Sequence, residues 1–183
     1  MTVVQLVQTP QEEDTRKAFE AAEAHFAHVP NLVRALGTNP PMCLAVTEFF
    51  IQSLQDGRVS WKFKELVILK TLRAVGCHYS HGAHEALALE LGNSADAIGD
   101  LYNSLWRDSK HFSDGEKAVF ELVEQIAIDA NNVSDENWDR LRAHWKNDQL
   151  VELDALITTF IMIGKTADTL GVAEPVMFKK KVA

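Results

Sequence analysis

The chain has 183 residues, 46% hydrophobic and 24% charged, enough apolar side chain to bury a substantial core. Its formal net charge of −8 and pI near 5.3 exclude the electrostatic footprint of a nucleic-acid binder, which needs clustered Lys and Arg to neutralise phosphates. The one basic run, Lys179-Lys180-Lys181, reads as a solvated tail.

Helical periodicity runs nearly end to end, strand-like alternation is not sustained, and Gly and Pro fall at helix edges. Thr9-Pro10-Gln11-Glu12 reads as a capping box with proline in the first turn, opening a helix to about His28. Asn31 to Leu36 forms a short helix. Asn39, before Pro40-Pro41, starts another that ends near Gly57. Ser60 caps a helix that Gly76 stops, and the next runs from about Cys77 to Leu91, stopped by Gly92. Ser94 opens a helix through about Trp106. Ser113-Asp114-Gly115-Glu116 is a second capping box, for a helix to about Ala130. Ser134 caps a short helix ending near His144, and the last runs from about Gln149 to Leu170, closed by Gly171 and Pro175. The expected fold is all-α, a compact bundle of about eight helices forming a single domain over residues 1–183. A weak change of composition near Lys110 to Asp114 marks off a second helical half at about 113–172. Trp106, Trp138 and Trp145 are expected to anchor packing.

The longest apolar stretch, Leu156 to Gly164, is broken by Thr158 and Thr159 and falls far short of a membrane span. The first residues lack a basic region followed by an apolar core, so no secretory leader is expected there. Two cysteines, Cys43 and Cys77, are too few for a disulfide framework, and a cytoplasmic location is expected.

The chemistry concentrates in Trp61 to Leu91. On the first of its helices Trp61, Glu65, Ile68, Leu69 and Leu72 share one arc, which puts a carboxyl group inside an apolar stripe. Such a carboxyl must find a partner or change its protonation, and either makes it a candidate acid–base group. On the next, Cys77, Ser80, His81 and His84 share a face. Cys77 after Gly76 is expected at a helix N-terminus, where free N–H groups favour a thiolate. An imidazole on that face can accept or donate a proton. His78, His81 and His84 recur every three residues but drift through about 120° of helix surface, so no metal site and no cofactor are expected. Arg73 falls on the polar side of its helix, and Cys43 sits in an apolar run as packing.

Glu65 precedes Cys77 by twelve residues, and in CHYSHGAH His84 follows Ser80 by four. This pattern resembles the carboxymuconolactone decarboxylase-like and alkylhydroperoxidase D-like superfamily, over a core motif region of residues 32–91. The helices from Phe112 to Gly164 look like those of its longer members. The resemblance implies an all-helical homo-oligomeric enzyme acting on a small molecule, with no nucleic-acid or membrane partner. It also exposes a departure. Ser80 stands where the hydroperoxidase branch has its second cysteine, and serine cannot close the disulfide of that redox cycle. The resemblance then favours acid–base chemistry of the decarboxylase or a related lyase or isomerase kind: His84 as acid or base, Glu65 orienting it, Cys77 with them, and Ser80 and His81 lining the pocket. A one-cysteine hydroperoxide reductase, in which Cys77 passes through sulfenic acid, is the alternative. A non-catalytic helical binding or assembly protein with a vestigial site is the third reading.

Overall fold

In the computed structural model of the protein, residues 2–79 and 81–173 are described. Ser80, Pro175 and the Lys179-Lys180-Lys181 run lie outside them. The described residues are all-helical: α1 Glu13–Phe26, α2 Asn31–Leu36, α3 Pro40–Ser53, α4 Trp61–Ala74, α5 His81–Glu90, α6 Ala95–Tyr102, α7 Asp114–Asp129, α8 Asp135–His144 and α9 Asn147–Thr169, with a short 3-10 turn at Ala130–Asn132. Among them no helix is long and apolar enough to cross a membrane. The chain divides into two compact units, one of Met1–Gln55 with Lys165–Ala183 and one of Asp56–Gly164. The composition change near Lys110 to Asp114 falls inside the second unit, not at its edge.

In the first unit α1 packs on α3 and α2. Phe26 of α1 stacks on Phe50 of α3 with ring centroids 5.3 Å apart. The capping box expected at Thr9 does not form: Glu12 is extended at the N-cap without a side-chain cap bond, and α1 starts at Glu13. The preceding strand of chain is tied to α2 instead. The Val7 amide donates to the Arg34 carbonyl at 3.1 Å, and the Arg34 guanidinium donates back to the Val7 carbonyl at 3.3 Å. Cys43 is fully buried on α3, its thiol donating to the Val33 carbonyl at 3.5 Å, and burial pushes its pKa up despite the opposing hydrogen bond with Thr47. It is packing, as expected.

The second unit is built around α4, which contacts α5, α6 and α7. Every residue from Phe63 to Leu72 is buried. A helix enclosed on all sides is normally apolar throughout, yet this one carries Lys64, Glu65, Lys70 and Thr71. Each has a partner. Lys64 Nζ lies 2.6 Å from Glu152 of α9. Lys70 pairs with Glu124 of α7 and lies 4.9 Å from the Trp106 ring centroid. The Thr71 hydroxyl donates to the Val67 carbonyl at 2.8 Å. Glu65 belongs to the site described below. Ser60 caps α4 as expected, its hydroxyl accepting from the Phe63 amide at 3.4 Å.

The end of α4 departs from expectation. Gly76 takes a left-handed φ of 70° and the Cys77 amide donates back to the Leu72 carbonyl at 2.9 Å, the six-to-one bond of a Schellman ending. Cys77 and His78 are therefore outside any helix, and α5 begins at His81. A similar ending closes α6 at Tyr102, short of Trp106. Ser104 takes the left-handed φ of 60°, and the Leu105 amide bonds to the Asp100 carbonyl at 2.9 Å. Trp106 is nonetheless buried, in the segment after α6. The capping box at Ser113 and Glu116 forms in full, and Ser134 caps α8.

Candidate active site

The site lies wholly within the second unit and is assembled by α4, the segment after it, α5 and α9. Glu65 is on the face of α4 that its spacing indicates, and it is fully buried. Each of its carboxylate oxygens accepts one bond. Oε2 is 2.8 Å from Nδ1 of His84 on α5, and Oε1 accepts from the indole N–H of Trp61, one turn earlier on α4, at 2.9 Å. Two donors, one for each oxygen, fit a carboxylate, which only accepts. That assigns the Nδ1 proton of His84 to the bond with Glu65.

His84 is buried, and the Phe160 ring of α9 meets it edge to face at 5.1 Å. Cys77 meets the same helix one turn on. Its thiol lies 3.6 Å from the Gly164 carbonyl, to which it donates, and the side chain is 2% exposed. Phe160 and Gly164 are four residues apart and so share one face of α9. The structure thus brings Glu65 and His84 into direct contact and sets Cys77 against the neighbouring turn of the helix that walls the imidazole. It does not place Cys77 at a helix N-terminus. Its amide is spent on closing α4, so the expected helix-dipole support for a thiolate is not met. Among the described residues neither Cys43 nor Cys77 is in a disulfide.

His81 is half-buried and turned to a different group. Its ring lies 5.0 Å from that of Tyr102. Burial pushes its pKa below the ordinary value, with His84, His78 and Arg73 adding to the shift and Glu85 opposing it. The Tyr102 hydroxyl donates to Glu85 at 3.1 Å, and burial followed by that carboxylate pushes the phenol well above its usual range. Arg73 is exposed and donates to the Tyr102 carbonyl at 3.1 Å, in keeping with its expected polar side. Ser80, expected beside His84, lies outside the described residues. His78 is exposed, and among the described residues no group of His, Cys, Asp and Glu is arranged to hold a metal ion.

Three residues of this arrangement have no role in the sequence reading. Trp61 appears there only as part of an apolar stripe, although its spacing of four to Glu65 allows the bond. Phe160 and Gly164 sit in a stretch read only as part of the last helix, with no role at the site. An isolated glycine inside a helical pattern is the signal that a neighbour approaches the backbone closely.

Residues 40–125 match the carboxymuconolactone decarboxylase family, a segment that includes Glu65, Cys77 and His84 but stops before α9. Over 95 residues the chain is 30% identical to the uncharacterized protein YdfG of Bacillus subtilis, covering 51% of this chain. The chain spans only 63% of the length of that curated relative. The fold is shared with solved structures, among them these two. One is the debrominase Bmp8 in complex with 2,3,4-tribromopyrrole, with a TM-score of 0.78 and 16% identity, covering 100% of this chain and 93% of that one. The other is a peroxidase-related protein from Ralstonia eutropha with an alkylhydroperoxidase AhpD core, with a TM-score of 0.74 and 18% identity, covering 89% and 86%.

Proposed function

We propose that the chain is an enzyme of the carboxymuconolactone decarboxylase-like, alkylhydroperoxidase D-like superfamily, whose family match covers residues 40–125, and that it uses His84, oriented by Glu65, to transfer a proton on a small organic substrate. The observation that carries this reading is the 2.8 Å contact between His84 Nδ1 and Glu65 Oε2 inside a fully buried carboxylate site. A carboxylate bound to Nδ1 fixes the imidazole orientation and stabilises the imidazolium that forms when Nε2 takes a proton. In a decarboxylation the C–C bond electrons left by departing CO2 are quenched by a proton, and imidazolium Nε2 supplies it. In an isomerisation the same nitrogen removes a proton from carbon and returns it elsewhere.

Among the described residues of the second unit the buried cations Lys64 and Lys70 are engaged by Glu152 and Glu124, so neither is assigned to a substrate's acidic group.

Cys77 beside the same wall of α9 supports a second reading. Its thiolate attacks the O–O bond of a hydroperoxide, giving Cys77 sulfenic acid and an alcohol, and two equivalents of an external thiol then restore the thiol with release of water and a disulfide. One experiment separates the two. The protein is offered carboxylated lactones and β-keto acids, and separately an alkyl hydroperoxide with dithiothreitol. The acid–base reading expects turnover in the first set that survives in Cys77→Ser and is lost in His84→Gln. Hydroperoxide consumption abolished by Cys77→Ser, with no turnover in the first set, establishes the reductase instead.

A further inference from the structure

We propose that Gly164 is a positioning residue for Cys77: it is glycine so that the cysteine side chain can rest directly on the backbone of α9, one turn from the His84 wall. The inference rests on the reading that Cys77 shares a site with His84. Gly164 is within α9, where glycine is a poorer helix former than alanine. Its presence there therefore calls for a local reason. A Cβ at Gly164 would lie 3.1 Å from Cys77 Cβ and 3.2 Å from Cys77 Sγ, with the next neighbour, Val75 Cγ2, at 3.6 Å. The two tight approaches are both to Cys77, and the third is an ordinary contact. The same residue's carbonyl accepts the thiol proton at 3.6 Å.

Gly164 thus sets both where the sulfur sits and which way its S–H points. Cys77 cannot rise off α9 freely, because its own amide is tied to the Leu72 carbonyl at the end of α4. Adding one methyl group at position 164 requires the Cys77 side chain to give way by a few tenths of an ångström, which disturbs its 3.6 Å contact with the carbonyl. A thiol that loses a carbonyl acceptor is no longer favoured in its S–H form by that bond.

The test uses the full chain carrying Cys43→Ser, so that Cys77 is the single thiol. Gly164→Ala is expected to lower Tm and to raise the rate of Cys77 alkylation by iodoacetamide at neutral pH several-fold. In a Cys77→Gly background, where the side chain that would collide is gone, the same substitution is expected to raise Tm, as alanine does in an unobstructed helix. If Gly164→Ala does not fold, folding of the Cys77→Gly/Gly164→Ala protein supports the proposal and its failure overturns it. A higher Tm with unchanged alkylation in the single variant overturns it, as does an equal loss of Tm in both backgrounds. None of these readouts depends on turnover. A failure of the proton-transfer reading shows in the substrate assay, and a failure of this one shows here.

Discussion

Glu65 Oε2 and His84 Nδ1 meet at 2.8 Å, and each residue is supplied by a different helix, α4 and α5, whose separation is held by the Gly76 turn between them. In the proposed function the carboxylate holds Nδ1, and Nε2 is the nitrogen that transfers the proton. Glu65→Gln replaces one oxygen with an amide that can donate, so the imidazole no longer has a single preferred tautomer. Nitrogen-15 spectra of His84 are expected to show a protonated Nδ1 in the wild type and a mixture of tautomers in Glu65→Gln. Turnover in the variant is expected to fall by about 10²–10⁴, the usual contribution of a positioned acid or base.

Trp61 holds the other carboxylate oxygen at 2.9 Å. Trp61→Phe keeps an aromatic ring and removes the N–H. The loss of a hydrogen bond to a charged group is expected to cost about 1.5–3 kcal/mol of stability, read as a lower urea midpoint. Turnover is expected to fall less than in Glu65→Gln, because the bond to His84 persists.

Glu152 links α9 to the segment before α4. It lies against Lys64 and accepts from the Arg58 amide at 2.7 Å, and its carboxylate fills the space over Gly57. Burial pushes this carboxyl up, but Lys64 and the amides of Arg58 and Val59 more than offset that and hold it below its usual 4.5. A depressed carboxyl stabilises the fold above the unfolded value, and that contribution disappears as pH falls through the folded value. The urea midpoint is therefore expected to fall as pH drops below 4.5. Glu152→Ala leaves the buried Lys64 without its carboxylate and is expected to cost about 3–5 kcal/mol at neutral pH. Its midpoint is expected to vary less with acid than that of the wild type.

Gly115 near the start of α7 is expected to resist substitution for a steric reason. A Cβ there would lie 2.8 Å from His144 Cβ and 3.3 Å from Trp145 Nε1, which donates to the Gly115 carbonyl at 2.9 Å. Trp145 in turn stacks on Phe63 of α4 at 5.4 Å. Gly115→Ala forces α7 and α8 apart and is expected to cost about 1–3 kcal/mol by overpacking, measured as a drop in Tm.

The helical fold and the Glu65–His84 pair were legible because both depend on local spacing. A period near 3.6 puts Glu65 on the apolar face of α4, and Ser60, Ser113 and Ser134 announce their helices by side-chain caps that are local in sequence. The position of Cys77 was not legible, because it depends on how α4 ends. A glycine marks an ending but does not say that the next amide will fold back to Leu72 and delay the following helix to His81. The ending of α6 was hidden further by Ser104, which takes a left-handed conformation with no glycine to signal it. Thr9 has the residue pattern of a cap, but bonds between Val7 and Arg34, 27 residues apart, keep that segment extended. Phe160 and Gly164 reach the site from α9, 76 and 87 residues beyond His84 and Cys77 in turn, a distance across which periodicity carries no information.

The most direct test of proton transfer by His84 is kcat/KM, measured for the wild type, His84→Gln and Cys77→Ser on whichever lactone or keto acid the protein turns over. His84→Gln is expected to reduce it by about 10²–10⁴, while Cys77→Ser keeps most of it. An unchanged kcat/KM in His84→Gln, or complete loss of turnover in Cys77→Ser, would contradict the account.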